Sequence, residues 1–263
     1  MKINRKEGRS FGKISHLYDS ARVSYPTRLI NDIIFYSGVK ANGKVLDVGC
    51  GTGQATIPFA ERDFNVVGLD ISQEMVDVAK NKCSLFKKVS FRVGTFEDVK
   101  FPFESFDTII SGMAWHWITL KDRYKKAFKI LKKKGTLALF WSYQQNEKSE
   151  FVKEVSKVLD KYNGLNRGLA YSRIKNIIDF TYTELRRNKF FNFVEIREYE
   201  ESIEFSKQRY LDLISSYGWV QMLSKKEKQS LTGELRELCS KYKEPLMIPF
   251  KYVIMLARKA KDL

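Results

Sequence analysis

The sequence predicts an α/β fold: a mostly parallel sheet with helices covering both faces, in three layers. Three observations predict it. Short β-branched apolar runs alternate with helix-period segments from Lys44 to Tyr143. The first run ends in an acid and a glycine-dense turn, Asp47-Val48-Gly49-Cys50-Gly51-Thr52-Gly53. The second run, Val66-Val67-Gly68-Leu69, ends in Asp70. A glycine loop between a strand and a helix sits at the carboxyl end of the strand, where open α/β sheets hold their ligands.

The elements follow in order. Residues 10–37 read as two helices broken near Val23-Ser24-Tyr25-Pro26, with Pro26 at a helix start. Lys44–Val48 is the first strand and Gln54–Arg62 the helix after the loop. Asn65–Leu69 is the second strand, and Ser72 caps a helix reaching Lys82. Val89–Val93 and Phe106–Ser111 are the third and fourth strands. Lys121–Lys132 reads as an amphipathic helix ended by Gly135, and Thr136–Tyr143 as the fifth strand. Right-handed crossovers of this length place the strands in parallel.

The second half is less regular. Glu150–Tyr162 reads as a helix, Asn163–Gly168 as a loop and Thr183–Asn188 as a helical turn. Phe193–Phe205 alternates polar and apolar residues, as a strand does. Lys207–Ser216 and Lys225–Tyr242 read as helices, and Met247–Ala257 as a closing strand.

The loop's ligand follows by elimination. The dinucleotide fingerprint needs a third glycine where Gln54 stands, and no Gly-Lys-Ser/Thr closes a phosphate loop. What remains is Asp47-x-Gly49-x-Gly51-x-Gly53 and an acid at the tip of the next strand. Asp70 is placed to accept from two ribose hydroxyls. An acid before the loop repels a diphosphate and suits a cationic amino group. A ribose joined to a cationic amino-acid end describes S-adenosylmethionine (SAM).

At these residues the chain resembles the class I SAM-dependent methyltransferases, in their small-molecule type 11 branch. The stretch Val45–Gly53, then Val66–Ser72, then Phe101–Trp117 carries the resemblance. Phe11…Tyr18-Asp19-x-x-Arg22-x-x-Tyr25-Pro26 and Ala114-Trp115-His116-Trp117 resemble trans-aconitate methyltransferases and their relatives. The resemblance is strong from about residue 10 to residue 143 and weak beyond. It implies a Rossmann-like, seven-stranded sheet whose last strand is antiparallel, with residues 193–205 and 247–257 as the final pair. Residues 1–205 and 244–263 would then form the SAM-binding domain. Residues 206–243 would form a helical cap over the active site.

Asp47 and the backbone of Gly49, Gly51 and Gly53 are expected at the methionine end, with Cys50 and Gln54 in the same loop. Asp70 is expected on the ribose. The resemblance places Ile71 and Met75 against the adenine, with the loop Thr95-Phe96-Glu97. Thr95 stands where the family often has an aspartate. Core packing is the plainer alternative for Met75 and Phe96. The Ser111 backbone is expected near the methionine amine. Tyr18 and Arg22 share one helix face, and the resemblance puts Arg22 near the cofactor carboxylate; a surface arginine is the alternative.

Methyl transfer from a sulfonium needs alignment and exclusion of water, and a base only when the nucleophile must lose a proton. No catalytic triad or metal cluster is therefore expected. His116 is placed to be that base, or, with Trp115 and Trp117, to shape the pocket wall. Tyr143, Tyr217 and Trp219 complete the expected acceptor pocket.

The 263 residues carry 47 basic and 31 acidic side chains, a net charge of +16. The lysines are spread along the chain, with no RNA-recognition signature, so a solvated surface is favoured over a nucleic-acid groove. The Pro-Cys nucleophile of cytosine-carbon methyltransferases and the Asn/Asp-Pro-Pro element of amino-directed ones are absent. No apolar run reaches spanning length, the start is polar, and three scattered cysteines suit a reducing cytoplasm. Cys50 reads as a small residue beside backbone contacts, with a reactive thiol as the alternative. The leading reading is methylation of a small molecule, such as a carboxylate oxygen. The alternatives are an RNA or DNA methyltransferase and a non-catalytic SAM-binding protein. Oligomeric state is not legible.

Overall fold

The computed structural model describes residues 12–119, 121–163 and 170–261. Phe11 and most of the expected 163–168 loop lie outside the described residues. One seven-stranded sheet has the order β3-β2-β1-β4-β5-β7-β6. Its strands are β1 Lys44–Val48, β2 Asn65–Asp70, β3 Val89–Val93, β4 Phe106–Gly112, β5 Leu131–Gln144, β6 Phe191–Phe205 and β7 Leu246–Lys259. The first five pair in parallel, and β7 runs antiparallel to both β5 and β6.

Neighbouring residues of a strand face opposite sides, and that alternation builds two cores. Val45, Ile110, Phe140 and Ile254 face one side. There they meet helices α2 Thr27–Ser37, α3 Thr56–Ala60, α6 Glu150–Asn163, α8 Lys207–Ser215, α9 Gly218–Gln221 and α10 Lys225–Ser240. Leu46, Ile109, Leu139 and Met255 face the other side, against α5 Arg123–Ile130 and α7 Ala170–Arg187. Helix α4 Gln73–Lys82 follows β2, and Ser72 caps it by accepting from the Met75 N–H at 3.2 Å. Helix α1 Ser15–Ala21 packs against α8.

Three local expectations are corrected. The helix after the glycine loop is only Thr56–Ala60, because the turn continues through Ala55. Helix α5 stops at Ile130, not at Gly135. Leu131 continues the helical spacing of apolar residues, but it is buried in the sheet opposite Phe106. Residues 132–135 then bulge before Thr136 rejoins β4 at Thr108, and Lys132 pairs with Asp107 at 2.8 Å. Helix α7 is eighteen residues long where a single turn was expected. Its buried Ile177, Ile178, Thr181 and Leu185 have helical spacing inside a polar stretch, and packing on the sheet supplies what local composition did not. The short helix α9 was also missed.

Candidate active site

The tips of β2, β1 and β4 are adjacent in the sheet, so Asp70, the glycine loop and Gly112 meet at one rim. The Gly49 and Cys50 N–H groups both donate to the Leu69 carbonyl, at 2.7 and 3.0 Å, folding the loop over the end of β2. Gly49 has a left-handed φ of 73°, and a Cβ there would stand 2.2 Å from the Ala114 Cβ. Only glycine permits both the turn and that approach.

A cavity of about 160 Å³ opens at this rim. Gly49, Gly51 and Asp70 form its polar edge, while Leu69, Ile71, Met75, Phe96 and Ile118 form an apolar wall. Thr95, Glu97, Trp117 and Tyr18 also line it. The Asp70 carboxylate is held by two backbone donors: Oδ2 accepts from Gly51 at 2.9 Å and Oδ1 from Ser72 at 3.0 Å. Each oxygen keeps accepting capacity, which fits a vicinal diol. Burial raises its carboxyl above the usual range, and the backbone N–H groups oppose that rise.

Asp47 lies beneath the loop, fully buried and away from the cavity lining. Its Oδ2 accepts from the Thr56 hydroxyl at 2.7 Å, and its Oδ1 has no hydrogen-bond partner among the described residues. Burial pushes its carboxyl to about 7, with the Asp70 charge adding to the rise and Thr56 opposing it. A buried carboxylate with an unmet oxygen fits a site made for a cationic ligand end.

Other expected residues are held by contacts of their own. Cys50 is buried, Gly53 packs toward Ala79, and Gln54 donates to Asp19 at 3.3 Å; none of the three lines the cavity. Ser111 is buried, its hydroxyl donating to the Val48 carbonyl at 2.8 Å, and the next three residues line the cavity instead. Of these, Met113 holds a left-handed φ of 56°, a strained backbone at the wall. The Thr95 hydroxyl donates to Asp98 at 2.6 Å and accepts from the Asp98 N–H at 3.1 Å, so it turns along its own loop.

Trp115 is fully buried between Phe96 and Tyr124. His116 is buried behind the cavity wall, and the Trp141 indole N–H donates to its Nδ1 at 3.3 Å. The neutral ring then carries its proton on Nε2. Tyr143, Tyr217 and Trp219 lie outside the cavity lining. Tyr25 went unassigned in the sequence. Its Oη lies 2.4 Å from where a Gly112 Cβ would stand, and a glycine ending the fourth strand was the available signal.

Helix α1 binds the loop and the segment after α8 together. Tyr18 reaches the cavity. Asp19 accepts from Thr52 at 2.7 Å and from Lys82 at 2.5 Å. Just past the helix, Arg22 donates through Nε and Nη2 to the Ser216 hydroxyl and carbonyl, each at 3.1 Å.

Residues 45–135 match the methyltransferase domain family. A Schizosaccharomyces pombe protein named as an uncharacterised methyltransferase is 26% identical over 232 residues, 88% of this chain and 87% of that one. A Saccharomyces cerevisiae protein named as a probable S-adenosylmethionine-dependent methyltransferase is 37% identical over 150 residues. That match covers 55% of this chain and half of the yeast protein's length, 50%. The chain is a SAM-dependent methyltransferase. Solved structures agree on the methyltransferase's fold. A protein of Anaeromyxobacter dehalogenans assigned as a type II methyltransferase has a TM-score of 0.63 at 20% identity, covering 90% of this chain and 97% of that one. The Haemonchus contortus phosphoethanolamine N-methyltransferase 2, solved with phosphomonomethylethanolamine and S-adenosylhomocysteine, has a TM-score of 0.52 at 17% identity. The likeness covers 95% of this chain and 58% of that one. Among the described residues, no helix is long and apolar enough to cross a membrane.

Proposed function

We propose that this methyltransferase methylates a small molecule at an oxygen, such as that of a carboxylate. The carrying observation is the Arg22–Ser216 contact, which joins α1 to the segment after α8 beside the cofactor cavity. A contact between two such distant segments favours a covered recess over an open groove. In this reading residues 1–205 and 244–263 form the cofactor domain, and 206–243 cap the acceptor. The resemblance of Tyr18-Asp19-x-x-Arg22-x-x-Tyr25-Pro26 and Ala114–Trp117 to trans-aconitate methyltransferases supports the same reading.

The cofactor supplies an electrophilic methyl group with a neutral thioether as leaving group. The chain's residues bind, orient and dry the site. Asp70 takes the ribose hydroxyls, and Asp47, once ionised, favours the ammonium end. Ile71, Met75 and Phe96 bury the base. Tyr18 and Trp117 exclude water near the methyl. A carboxylate nucleophile has no proton to lose, so His116 acts as a wall support here and a base is not required.

The charge of +16 supports a second reading, methylation of a nucleic acid. Radiolabelled SAM incubated with a metabolite fraction or with total RNA separates the two. Label in the small-molecule fraction is expected. Label in RNA alone would remove the first reading. The three free, buried cysteines suit a cytoplasmic setting within this proposal.

A further inference from the structure

Two hydrogen bonds near Arg22 and Ser216 have a direction that burial dictates. Tyr210 is fully buried, and its hydroxyl donates to Gln144 Oε1 at 2.7 Å. Among the described residues it has no other acceptor. A buried donor is costly to leave unmade, so Gln144 must turn its oxygen toward Tyr210. Its NH2 group is thereby committed to the far side, where it donates to the Tyr217 Oη at 3.0 Å. Tyr217 accepts in that bond. Its own O–H proton meets no acceptor among the described residues.

That proton belongs to a region rich in donors. The Arg22 guanidinium lies 5.1 Å from the Tyr217 ring and 4.6 Å from the Tyr18 ring. Ser216 occupies its Nε and Nη2. Nη1 is unused, and no carboxylate pairs with Arg22 among the described residues. Tyr25, whose Oη lies against the cavity residue Gly112, likewise donates to no group among the described residues. Burial raises the Tyr25 and Tyr217 phenols above their ordinary value, so both stay protonated donors at neutral pH. Phenol O–H groups beside a cation that pairs with no carboxylate among the described residues are the complement of an oxyanion.

We infer that Arg22 and Tyr217 hold an anionic oxygen group of the methyl acceptor, and that Gln144, positioned by Tyr210, sets this specificity by turning the Tyr217 proton outward. The inference rests on the proposed small-molecule reaction. Arg22 and Tyr217 are binding residues; Gln144 and Tyr210 are positioning residues. The cofactor's own carboxylate is the other source of the same chemistry.

The test uses the full chain saturated with S-adenosylhomocysteine and titrated calorimetrically with succinate, its uncharged diamide and inorganic phosphate. An anion should bind where the diamide does not. Tyr217→Phe keeps the ring over Arg22 and should weaken anion binding about tenfold. Tyr210→Phe changes no charge and lets Gln144 reverse, so it should weaken the anion roughly threefold from a buried position. Both variants should hold S-adenosylhomocysteine affinity within about twofold. Weaker S-adenosylhomocysteine binding with unchanged 5′-methylthioadenosine binding would assign the donors to the cofactor carboxylate and overturn the inference. Failure of every anion to bind the wild-type complex at millimolar concentration would also overturn it. Methyl transfer to small molecules in that case would leave the proposed function standing, whereas transfer to RNA alone would remove both.

Discussion

The two sides of the active site are built from different materials. On the cofactor side, backbone does most of the work. The loop after β1 folds onto the end of β2, and Asp70 is held by two N–H groups from residues 51 and 72. On the opposite side, around Arg22, side chains do it. Arg22 meets Ser216 across 194 positions of sequence, and Gln144 meets Tyr217 across 73. A backbone site must be kept in its details, because a turn tolerates few residues. A side-chain site can be rebuilt by exchanging donors without disturbing the sheet. The same chemistry can thus be aimed at different acceptors.

The largest effect should come from breaking the backbone side. Gly49→Ala must take a φ of 73° and place its Cβ 2.2 Å from the Ala114 Cβ. A loss of about 3–5 kcal/mol in stability is expected, together with loss of cofactor binding. Urea denaturation and calorimetry would measure both; near-wild-type values would show that the loop relaxes freely.

Asp47 tests the electrostatics beneath that loop. Its folded value is about 7, against about 3.9 in the unfolded chain. Between these values the folded state keeps a proton that the unfolded chain releases. Stability without cofactor should therefore fall as pH rises through that window, by up to about 4 kcal/mol, and level off above it. Asp47→Asn should flatten this part of the profile. A cationic ligand end favours the ionised form, so cofactor affinity should rise with pH toward neutrality. An identical pH profile in the variant would show that Asp47 does not titrate there.

Asp70→Ala should weaken S-adenosylhomocysteine by about 10- to 100-fold, or about 1–3 kcal/mol. Titration calorimetry decides it, and unchanged affinity would take the ribose away from Asp70. The smallest effect sharpens the contrast. Arg22→Ala should cost about 1 kcal/mol of local stability, seen as faster hydrogen exchange in residues 15–21 and 207–221. The exchange of residues 45–75 should stay as it was. Faster exchange across both regions would mean that the two sides are one cooperative unit.

The backbone side was the legible one. The acid, the glycine spacing and the second acid are local signals, and the structure sets Gly49, Gly51 and Asp70 at the cavity edge. Ile71, Met75, Thr95, Phe96 and Glu97 also line it. Spacing alone could not tell which loop residues face inward. Cys50, Gly53 and Gln54 are spent on packing and on Asp19. The alternation of β4 turns the Ser111 hydroxyl to Val48 and leaves Gly112 at the tip of the strand. His116 drew notice as a rare histidine beside tryptophans. Its partner Trp141 lies 25 positions away, and only folding shows that Nδ1 is engaged.

The sequence by itself determined the order of the strands, the glycine turn and the two acids that flank it, Asp47 and Asp70. These depend on backbone preference and on period, which are properties of neighbouring residues. Tertiary structure alone decided where α5 ends and how long α7 runs, because burial against the sheet outweighs local propensity. It also decided the direction of the Tyr210–Gln144–Tyr217 bonds. Gln144 can face either way until Tyr210 is buried, and burial is a property of the whole fold.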